Sequence, residues 1–170
     1  MAIRKIIYLP DPRLRQETAL VQTFDDELQT LINDMFDTMY DANGVGLAAP
    51  QIGISLRLSV VDIIGDKKHQ LVLVNPEIIK SEGLVEYHEG CLSVPGAYDR
   101  VMRAEKVTIR ALDRFGKPFE MSAEGLMGEC FQHEIDHLDG KLFVDMLSPI
   151  KRAMARKKVD KFKRQQVRNS

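Results

Sequence analysis

Two histidines near the C-terminus are spaced so that they could bind one metal ion. The segment from Gln132 to His137 reads Gln-His-Glu-Ile-Asp-His, with His133 and His137 four positions apart. In a helix, four residues advance about 6 Å and slightly more than one turn, so both imidazoles leave the same face. Glu134 lies about 100° around the helix from His133, where a carboxylate could take a proton from a water molecule that the ion activates. The motif predicts a catalytic metal site; the alternative is a helix with scattered polar residues.

The hydrophobic pattern around this motif predicts a helix from about residue 123 to residue 138. Apolar residues recur there at spacings of three and four, and Gly140 follows the last of them, at a position where helices commonly end. These apolar residues are Leu126, Met127, Cys130, Phe131, Ile135 and Leu138. Because the stripe is broad and adjoins both histidines, we expect the helix to cross the core, where imidazoles without partners would cost free energy. A bound metal ion would satisfy them.

A catalytic site of the zinc type needs a third protein ligand. In one large metalloprotease class this ligand is a histidine six residues after the second one, but Phe143 occupies that position here. Cys91 follows a glycine in the turn-like segment 89–95 and could supply a thiolate. Cys130 and the two histidines would span about 10 Å along one helix, too far to share an ion. We therefore predict Cys91 as the third ligand, with a small buried side chain as the alternative, and Cys130 as part of a wall.

The order of the remaining elements indicates an α+β fold. A helix is predicted at about 25–41, and residues 43–51 are predicted to form a loop or an edge strand. Two β-hairpins are predicted. The first pairs residues 57–63 with 70–74, and the second pairs 106–112 with 118–122. Strands cluster between helices instead of alternating with them, so we expect mostly antiparallel β-sheets packed around the central histidine helix. A final helix should begin at Ser148 and Pro149, an N-cap followed by proline, and run to about residue 165.

Composition limits the class of protein. The 170 residues, 44% of them hydrophobic, suffice for one domain with a substantial core and are few for two. No apolar run approaches the roughly 20 residues of a membrane span, and the first ten residues lack the long apolar stretch of a secretory signal, so we expect a cytoplasmic protein that binds no membrane. Two cysteines do not make a disulfide framework, which favours roles as ligand, nucleophile or core residue.

Charge is distributed unevenly along the chain. Residues 151–170 contain nine Lys or Arg and one acid, Asp160, although the whole chain has a net charge of −1. A basic segment on an acidic body commonly binds a polyanion such as a ribosome; the alternative is a solvated helix whose charges keep it soluble. The apolar residues of this helix form only a ragged stripe, which predicts a surface helix or one that projects. We therefore divide the chain into a single catalytic domain, 1–148, and a basic C-terminal helical extension, 149–170.

Three separate stretches together resemble one enzyme family. They are Gly44–Gln51, which reads GVGLAAPQ, Glu89–Ser93, which reads EGCLS, and Gln132–His137, which reads QHEIDH. Their sequences, order and rough separation are similar to those of the peptide deformylases. The resemblance covers nearly the whole chain, including the PDPRLR opening and a basic C-terminal helix like that of the Gram-negative bacterial type.

The resemblance implies a metal-dependent hydrolase that removes the N-formyl group from the N-terminal methionine of newly synthesised proteins and releases formate. It implies one divalent metal ion on Cys91, His133 and His137, ferrous iron in the cell, which Zn²⁺, Ni²⁺ or Co²⁺ could replace because the ligands suit all four. Glu134 would be the general base. The side-chain amide of Gln51 and the backbone N–H of Leu92 would stabilise the oxyanion.

The family pattern also implies residues that bind the substrate. Gly46 would pair its backbone with an extended peptide. The methionine side chain would lie in an apolar pocket formed by Val45, Tyr87, Cys130 and His133, and Gly90 would also bind the substrate. One departure is Glu129, where family members often carry an apolar residue; a carboxylate directed into the pocket would disfavour methionine.

The expected partners are N-formylmethionyl nascent peptides and, through the basic helix, the ribosome, with no DNA. Two alternatives remain at this point. One is a zinc metalloprotease that cleaves internal peptide bonds, against which the small size and Phe143 argue. The other is a non-catalytic, ribosome-associated module in which the metal ion is structural.

Overall fold

Seven strands and three α-helices make up residues 2–169, the part of the chain that this computed structural model describes. The strands are β1 (Gly46–Ala48), β2 (Leu58–Val61), β3 (Leu71–Glu82), β4 (Val85–Cys91), β5 (Val94–Arg103), β6 (Lys106–Leu112) and β7 (Pro118–Glu124). The helices are α1 (Asp26–Asp41), α2 (Gly125–Leu138) and α3 (Pro149–Asn169). Short 3-10 helices occupy Pro12–Arg15, Ala49–Ile52 and Phe143–Met146. Met1 and Ser170, the outer ends of the predicted 1–148 and 149–170 units, lie outside the described residues.

The strands form two antiparallel sheets, which confirms the predicted α+β class. Five strands pair in the order β1-β2-β3-β6-β7, and β4 pairs with β5 in a separate hairpin. Alternate residues of β6 are buried, and two of them, Val107 and Ile109, pack with Phe131 and Ile135 of α2 in one hydrophobic cluster. The alternation gives the sheet one apolar face, and α2 covers it. The strand β1 lies at the edge of this sheet.

Helix α2 begins slightly later than predicted. Ala123 and Glu124 still belong to β7, where they pair with Val107 and Lys106, so the helix begins at Gly125 instead of residue 123. Its end agrees with the sequence, because the helix stops at Leu138 and Gly140 has the positive φ of 74° that glycine adopts without strain.

The β4–β5 hairpin was not anticipated. The segment 89–95, predicted as turn-like, consists of the end of β4, the start of β5 and only two residues between them, Leu92 and Ser93. Much of β4 alternates between half-buried and exposed residues, and Glu86, His88 and Glu89 hide the strand from a search for apolar runs. The consequence for the site is that Cys91 stands on a strand end, which is a firmer support than a loop.

Helix α3 lies along the body of the protein and does not project from it. It packs against β5, with Ala155 and Val159 buried in a cluster that includes Val94 and Val101. The helix begins at Pro149 as predicted but continues to Asn169. In residues 2–169, none of the helices combines the length and the apolar character that crossing a membrane requires.

Candidate metal centre and active site

Helix α2 and the end of β4 bring the three predicted metal ligands together. Sγ of Cys91, a ring nitrogen of His133 and a ring nitrogen of His137 all lie within 4.8 Å of one another. Nε2 of His137 lies 3.1 Å from Nε2 of His133 and 3.3 Å from Sγ of Cys91. One thiolate and two imidazoles form a ligand set that suits a divalent transition metal. The residues therefore fit such an ion.

A buried ion-pair network orients His133. Its Nδ1 lies 2.7 Å from Oε1 of Glu89, and Arg103 donates hydrogen bonds to both oxygens of that carboxylate and, at 2.9 Å, to Asp136. Burial alone would raise the pKa of Glu89, but hydrogen bonds from Arg103 and His133 hold it below its usual value. The ionised carboxylate accepts the Nδ1 proton, which leaves Nε2 of His133 facing Cys91 and His137.

The electrostatics of the cluster favour positive charge at the point where the ligands meet. Burial disfavours the charged form of His133, yet the hydrogen bonds with Cys91 and Glu89 outweigh burial and raise its pKa. Burial, followed by the nearby charge of His133, lowers the pKa of His137, so this ring is neutral and able to bind a metal ion. The surroundings of His133 thus stabilise a positive charge, which either a proton or a metal ion supplies.

Glu134 lies beside this cluster as a buried carboxylate. Its side chain is part of the core, with the whole residue only 3% exposed, and burial is the main cause that raises its pKa to about 7. In the described residues, its Oε1 is a buried oxygen without a hydrogen-bond partner. A Cβ on Gly46 would lie 2.5 Å from Oε2 of Glu134, so only glycine leaves room for the carboxylate there. A carboxyl group with a pKa near neutrality is suited to accept and return a proton.

Gln51 directs its amide group toward the same point. Its Nε2 lies 3.6 Å from Sγ of Cys91 and 3.2 Å from Oγ of Ser93, while its Oε1 accepts a hydrogen bond from the backbone N–H of Ala48 at 2.9 Å. The residue is buried, so it is not an ordinary surface glutamine. The backbone bond fixes which end of the amide faces the site, and that end is the donor.

A cavity of about 550 Å³ opens above these groups. Its walls include Gln51, Cys91, Leu92, His133 and Glu134, together with four of the predicted substrate-binding residues, Val45, Gly46, Gly90 and Cys130. A depression of about 620 Å³ lies elsewhere, beside the start of α1, and is lined by residues such as Val21, Leu28 and Ile54. The chemistry of the lining residues, and not the cavity volume, therefore identifies the site.

Comparison with known proteins agrees with this geometry. The family model described as polypeptide deformylase matches residues 3–153. The chain belongs to the peptide deformylase family. It is 55% identical to a peptide deformylase of Alkalilimnicola ehrlichii over 97% of this chain and 93% of the relative, and 53% identical to one of Pseudomonas aeruginosa over 98% and 100%. The crystal structure of a peptide deformylase from Legionella pneumophila superposes with a TM-score of 0.97 at 75% identity, over 98% of this chain and 99% of that one.

Tyr87 and Glu129 differ in their position relative to the cavity of this peptide deformylase fold. Tyr87 lies on β4, one position before the cavity-lining His88, and is not itself among the residues that line the cavity in the described part of the chain. Burial and then the charge of Glu129 raise its pKa, so the two side chains lie within electrostatic reach. Glu129 does line the cavity; burial and then the charge of Glu89 raise its pKa to about 7. Glu129 thus places a carboxyl group on the wall of this cavity.

Sequence reasoning missed the residues that support the ligands. Glu89, Arg103 and Asp136 come from β4, β5 and α2, and their pairing is visible only once the hairpin is folded against the helix. Asp136 stands between the two histidines in sequence, which could have suggested a supporting role. Arg103 carried no such signal.

Proposed function

We propose that Cys91, His133 and His137 hold one divalent metal ion and that Glu134 is the general base of the hydrolysis. As a member of the peptide deformylase family, the chain is an enzyme that removes the N-formyl group from newly synthesised proteins. The observation that supports these residue roles best is the meeting of three ligand atoms within 4.8 Å beside a buried carboxyl group. Family membership excludes the non-catalytic alternative and favours formyl hydrolysis over cleavage of internal peptide bonds.

Ferrous iron is the proposed ion in the cell, as the family resemblance implies; zinc, nickel or cobalt could replace it, because thiolate and imidazole suit each of these metals. When bound, such an ion supplies Lewis acidity that makes water more acidic and polarises the formyl oxygen. Protein groups transfer the proton and stabilise the oxyanion.

Glu134 accepts a proton from the water molecule that attacks the formyl carbon, and later gives it to the departing methionine amine. Its pKa of about 7 allows both transfers near neutral pH. The tetrahedral oxyanion that forms needs hydrogen-bond donors already in place. Nε2 of Gln51 and the backbone N–H of Leu92 are the proposed donors, and the amide of Gln51 donates without adding negative charge. Collapse of this intermediate releases formate and the free N-terminus.

The peptide backbone would bind along β1. Because β1 is an edge strand, an extended segment could pair with it starting at Gly46, and such pairing reads backbone without demanding particular side chains. Val45, Gly90 and Cys130 line the adjoining cavity and are proposed to contact the methionine residue; Tyr87 on β4 is proposed to contribute as well. Burial raises the pKa of the Cys130 thiol well above its usual value, so Cys130 serves as an inert wall.

We also propose that the basic segment within 149–170 binds the ribosome near the place where nascent chains emerge, separately from catalysis in 1–148. Exposed cations distributed along α3, including Arg156, Lys157 and Arg164, support this proposal. Since newly made chains are the substrates, we expect the enzyme to work in the cytoplasm.

The decisive test of the reaction is formate release from a formyl-Met-Ala-Ser peptide, compared with its acetylated counterpart and with a longer unformylated peptide. We expect formate from the first substrate alone, whereas new amino termini inside the third would support the protease. Glu134→Gln should retain metal content and melting temperature while turnover falls by a factor of about 10² to 10⁴. The exposed Glu120→Gln on β7 is the control and should keep full turnover. Full turnover in Glu134→Gln would reject the assigned base.

Ribosome binding is tested by co-sedimentation at several salt concentrations. Deleting the helix would expose the core around Val159, so charge reversal is the cleaner change. The triple variant Arg156→Glu, Lys157→Glu and Arg164→Glu should bind more weakly and with a shallower salt dependence. A control variant with three reversed lysines elsewhere, at exposed positions 68, 117 and 141, changes net charge equally. Equal weakening in both variants would reject a role specific to α3.

A further inference from the structure

We infer that Thr18 and Arg15 position the two histidines of helix α2 by holding the C-terminal turn of that helix and the chain that follows it. Both residues belong to a short segment, residues 15–19, named here the N-terminal clamp. They act through the helix and its neighbours, so they are positioning residues. The inference deepens the proposed function and rests on the metal ligands assigned there.

The two histidines of α2 are held in different ways. His133 has the carboxylate of Glu89 behind its ring, 2.7 Å from Nδ1. Within residues 2–169, Nδ1 of His137 is buried without a hydrogen-bond partner, while its Nε2 faces His133 and Cys91. His137 is also the next-to-last residue of the helix, and helix ends fray. The position of His137 therefore depends on whatever holds the last turn of α2 in place.

Thr18 bonds to the last carbonyl of this helix. The final four carbonyls of an α-helix have no partner within the helix. Backbone N–H groups of residues 139–141 satisfy the carbonyls of residues 135–137. The carbonyl of Leu138, the neighbour of His137, instead accepts hydrogen bonds from Oγ1 of Thr18 at 2.8 Å and from its backbone N–H at 3.3 Å. Leu138 is buried, so Thr18 both satisfies this carbonyl and fixes the turn that carries His137.

Arg15 holds the chain that follows the helix. Its Nη1 and Nη2 donate to the carboxylate of Asp145 at 2.6 and 2.9 Å. Asp145 belongs to the 3-10 helix after α2, and Phe143 of the same 3-10 helix stacks against His133, with ring centroids 6.4 Å apart and planes inclined by 27°. The N-terminal clamp thus acts on His137 through the helix end and on His133 through Phe143.

Close approach and backbone bonds fasten the N-terminal clamp on both sides. A Cβ on Gly140 would lie 2.5 Å from the backbone oxygen of Arg15, so only glycine lets the clamp lie against the helix end. On the other side, the backbone N–H of Ala19 donates to the oxygen of Ser55 at 3.2 Å, and the oxygen of Ala19 accepts from the N–H of Arg57 at 2.8 Å. Because Arg57 directly precedes β2, the clamp joins the end of the metal-binding helix to the five-stranded sheet.

The exposure of the clamp separates a positioning role from a stabilising one. The side chains of Arg15 and Asp145 are 40% and 36% exposed, and an ion pair in such a position adds little to the stability of a fold. Its two parallel hydrogen bonds nevertheless fix the direction in which the carboxylate lies. We therefore expect loss of this pair to change the geometry of the metal site more than the melting temperature.

The test uses the cobalt-loaded full chain. Competition with a chelator measures the affinity for Co²⁺, and the visible absorption of the bound ion reports the geometry of its ligands. In Thr18→Val and in Arg15→Gln, the Kd for Co²⁺ should rise about three- to tenfold, less than the about 10- to 100-fold typical of residues that bond directly to a ligand. The absorption spectrum should shift in both variants. Thr18→Ser keeps the hydroxyl group and should match the unaltered protein.

Two control variants remove equivalent bonds elsewhere. Thr108→Val removes a hydroxyl that is hydrogen-bonded to Oγ of Ser122 at 2.7 Å, at a half-buried position of β6. Arg13→Gln breaks an exposed ion pair with Asp11, also at 2.7 Å. Thr108→Val and Thr18→Val should lower the melting temperature alike, but neither control should change the affinity for Co²⁺ or the spectrum.

Unchanged affinity and spectrum in both Thr18→Val and Arg15→Gln would overturn the inference, and so would changes of the same size in the two controls. Failure of the proposed ligand set has a different signature. In that case the unaltered protein would bind no Co²⁺, or Cys91→Ser would bind it as tightly as the unaltered protein does. The two failures are therefore distinguishable.

Discussion

Oε1 of Glu89 lies 2.7 Å from Nδ1 of His133, and this contact ties a strand of the small sheet to the helix that carries both histidines. Arg103 binds the same carboxylate, and both side chains of this ion pair are 3% exposed. The position of one proposed metal ligand, His133, thus depends on a buried ion pair between β4 and β5. Such supporting residues set ligand orientation and basicity even though they do not touch the ion.

Replacing Glu89 should therefore weaken the metal site. In Glu89→Ala, we expect the metal affinity to fall about 10- to 100-fold, because His133 loses the acceptor that fixes its tautomer. The free energy of unfolding should also fall, by about 3 to 5 kcal/mol, since Arg103 is left as a buried charge with only Asp136 for a partner. Chelator competition and urea unfolding would measure the two effects.

Glu86→Ala is the control on the same strand, because Glu86 is exposed and its closest ion pair, with Arg100, spans 3.9 Å. It should leave both quantities unchanged. Unaltered metal affinity in Glu89→Ala would show that His133 is held by its helix alone.

Gly46→Ala should impair catalysis more than folding. The added Cβ would lie 2.5 Å from Oε2 of Glu134 and 3.0 Å from Sγ of Cys130, so the carboxylate must move away from the position in which it accepts a proton. We expect kcat to fall by at least about tenfold, since proton transfer requires hydrogen-bond contact, while the metal content stays constant. Steady-state kinetics with metal analysis would measure both. A variant in which only KM rises would mean that Gly46 serves the peptide backbone and not the space around Glu134.

The helical metal motif was predictable from sequence because its information is local. His133 and His137 share a face through spacing alone, and the apolar stripe fixes that face toward the core. Cys91 could be selected only by eliminating other ligands and by the family resemblance. The Glu89–Arg103 pair and the bond from Thr18 to Leu138 join residues that are distant in sequence, where composition and periodicity give no signal. The β4 strand was missed because charged residues interrupt it.

Glu129 should make stability depend on pH. Burial and the charge of Glu89 raise its pKa from 4.5 to about 7, so the folded state binds the proton more tightly than the unfolded state. Its contribution to stability is present in full below pH 4.5 and is lost as the pH rises through about 7. The side chain in Glu129→Gln cannot ionise, so the variant does not lose this stability as the pH rises. At pH 8 the variant should be more stable than the unaltered protein by on the order of 1 kcal/mol, a value discounted because the group is partly exposed to solvent.

The comparison should be made by urea unfolding of both proteins at pH 5 and pH 8, with the same metal content. The difference in the free energy of unfolding between the two proteins should be small at pH 5 and appear at pH 8. The pKa of Glu134 is raised in the same direction, but its contribution cancels from this difference because both proteins contain Glu134. A difference that is the same at both pH values would show that the carboxyl group of Glu129 titrates normally.

Exchange of the metal ion should separate loss of metal from damage to its thiolate ligand. Removing the ion with a chelator should abolish formate release, and Fe²⁺, Ni²⁺ or Co²⁺ should restore it, because the ligands fit each of them. In air the iron form should lose activity, since a ferrous ion beside the Cys91 thiolate promotes oxidation of both, whereas the nickel and cobalt forms should persist. Mass spectrometry should then find oxygen added to Cys91 and not to the buried Cys130, whose raised pKa keeps it a thiol. Equal stability of all three forms in air would argue against iron as the ion used in the cell.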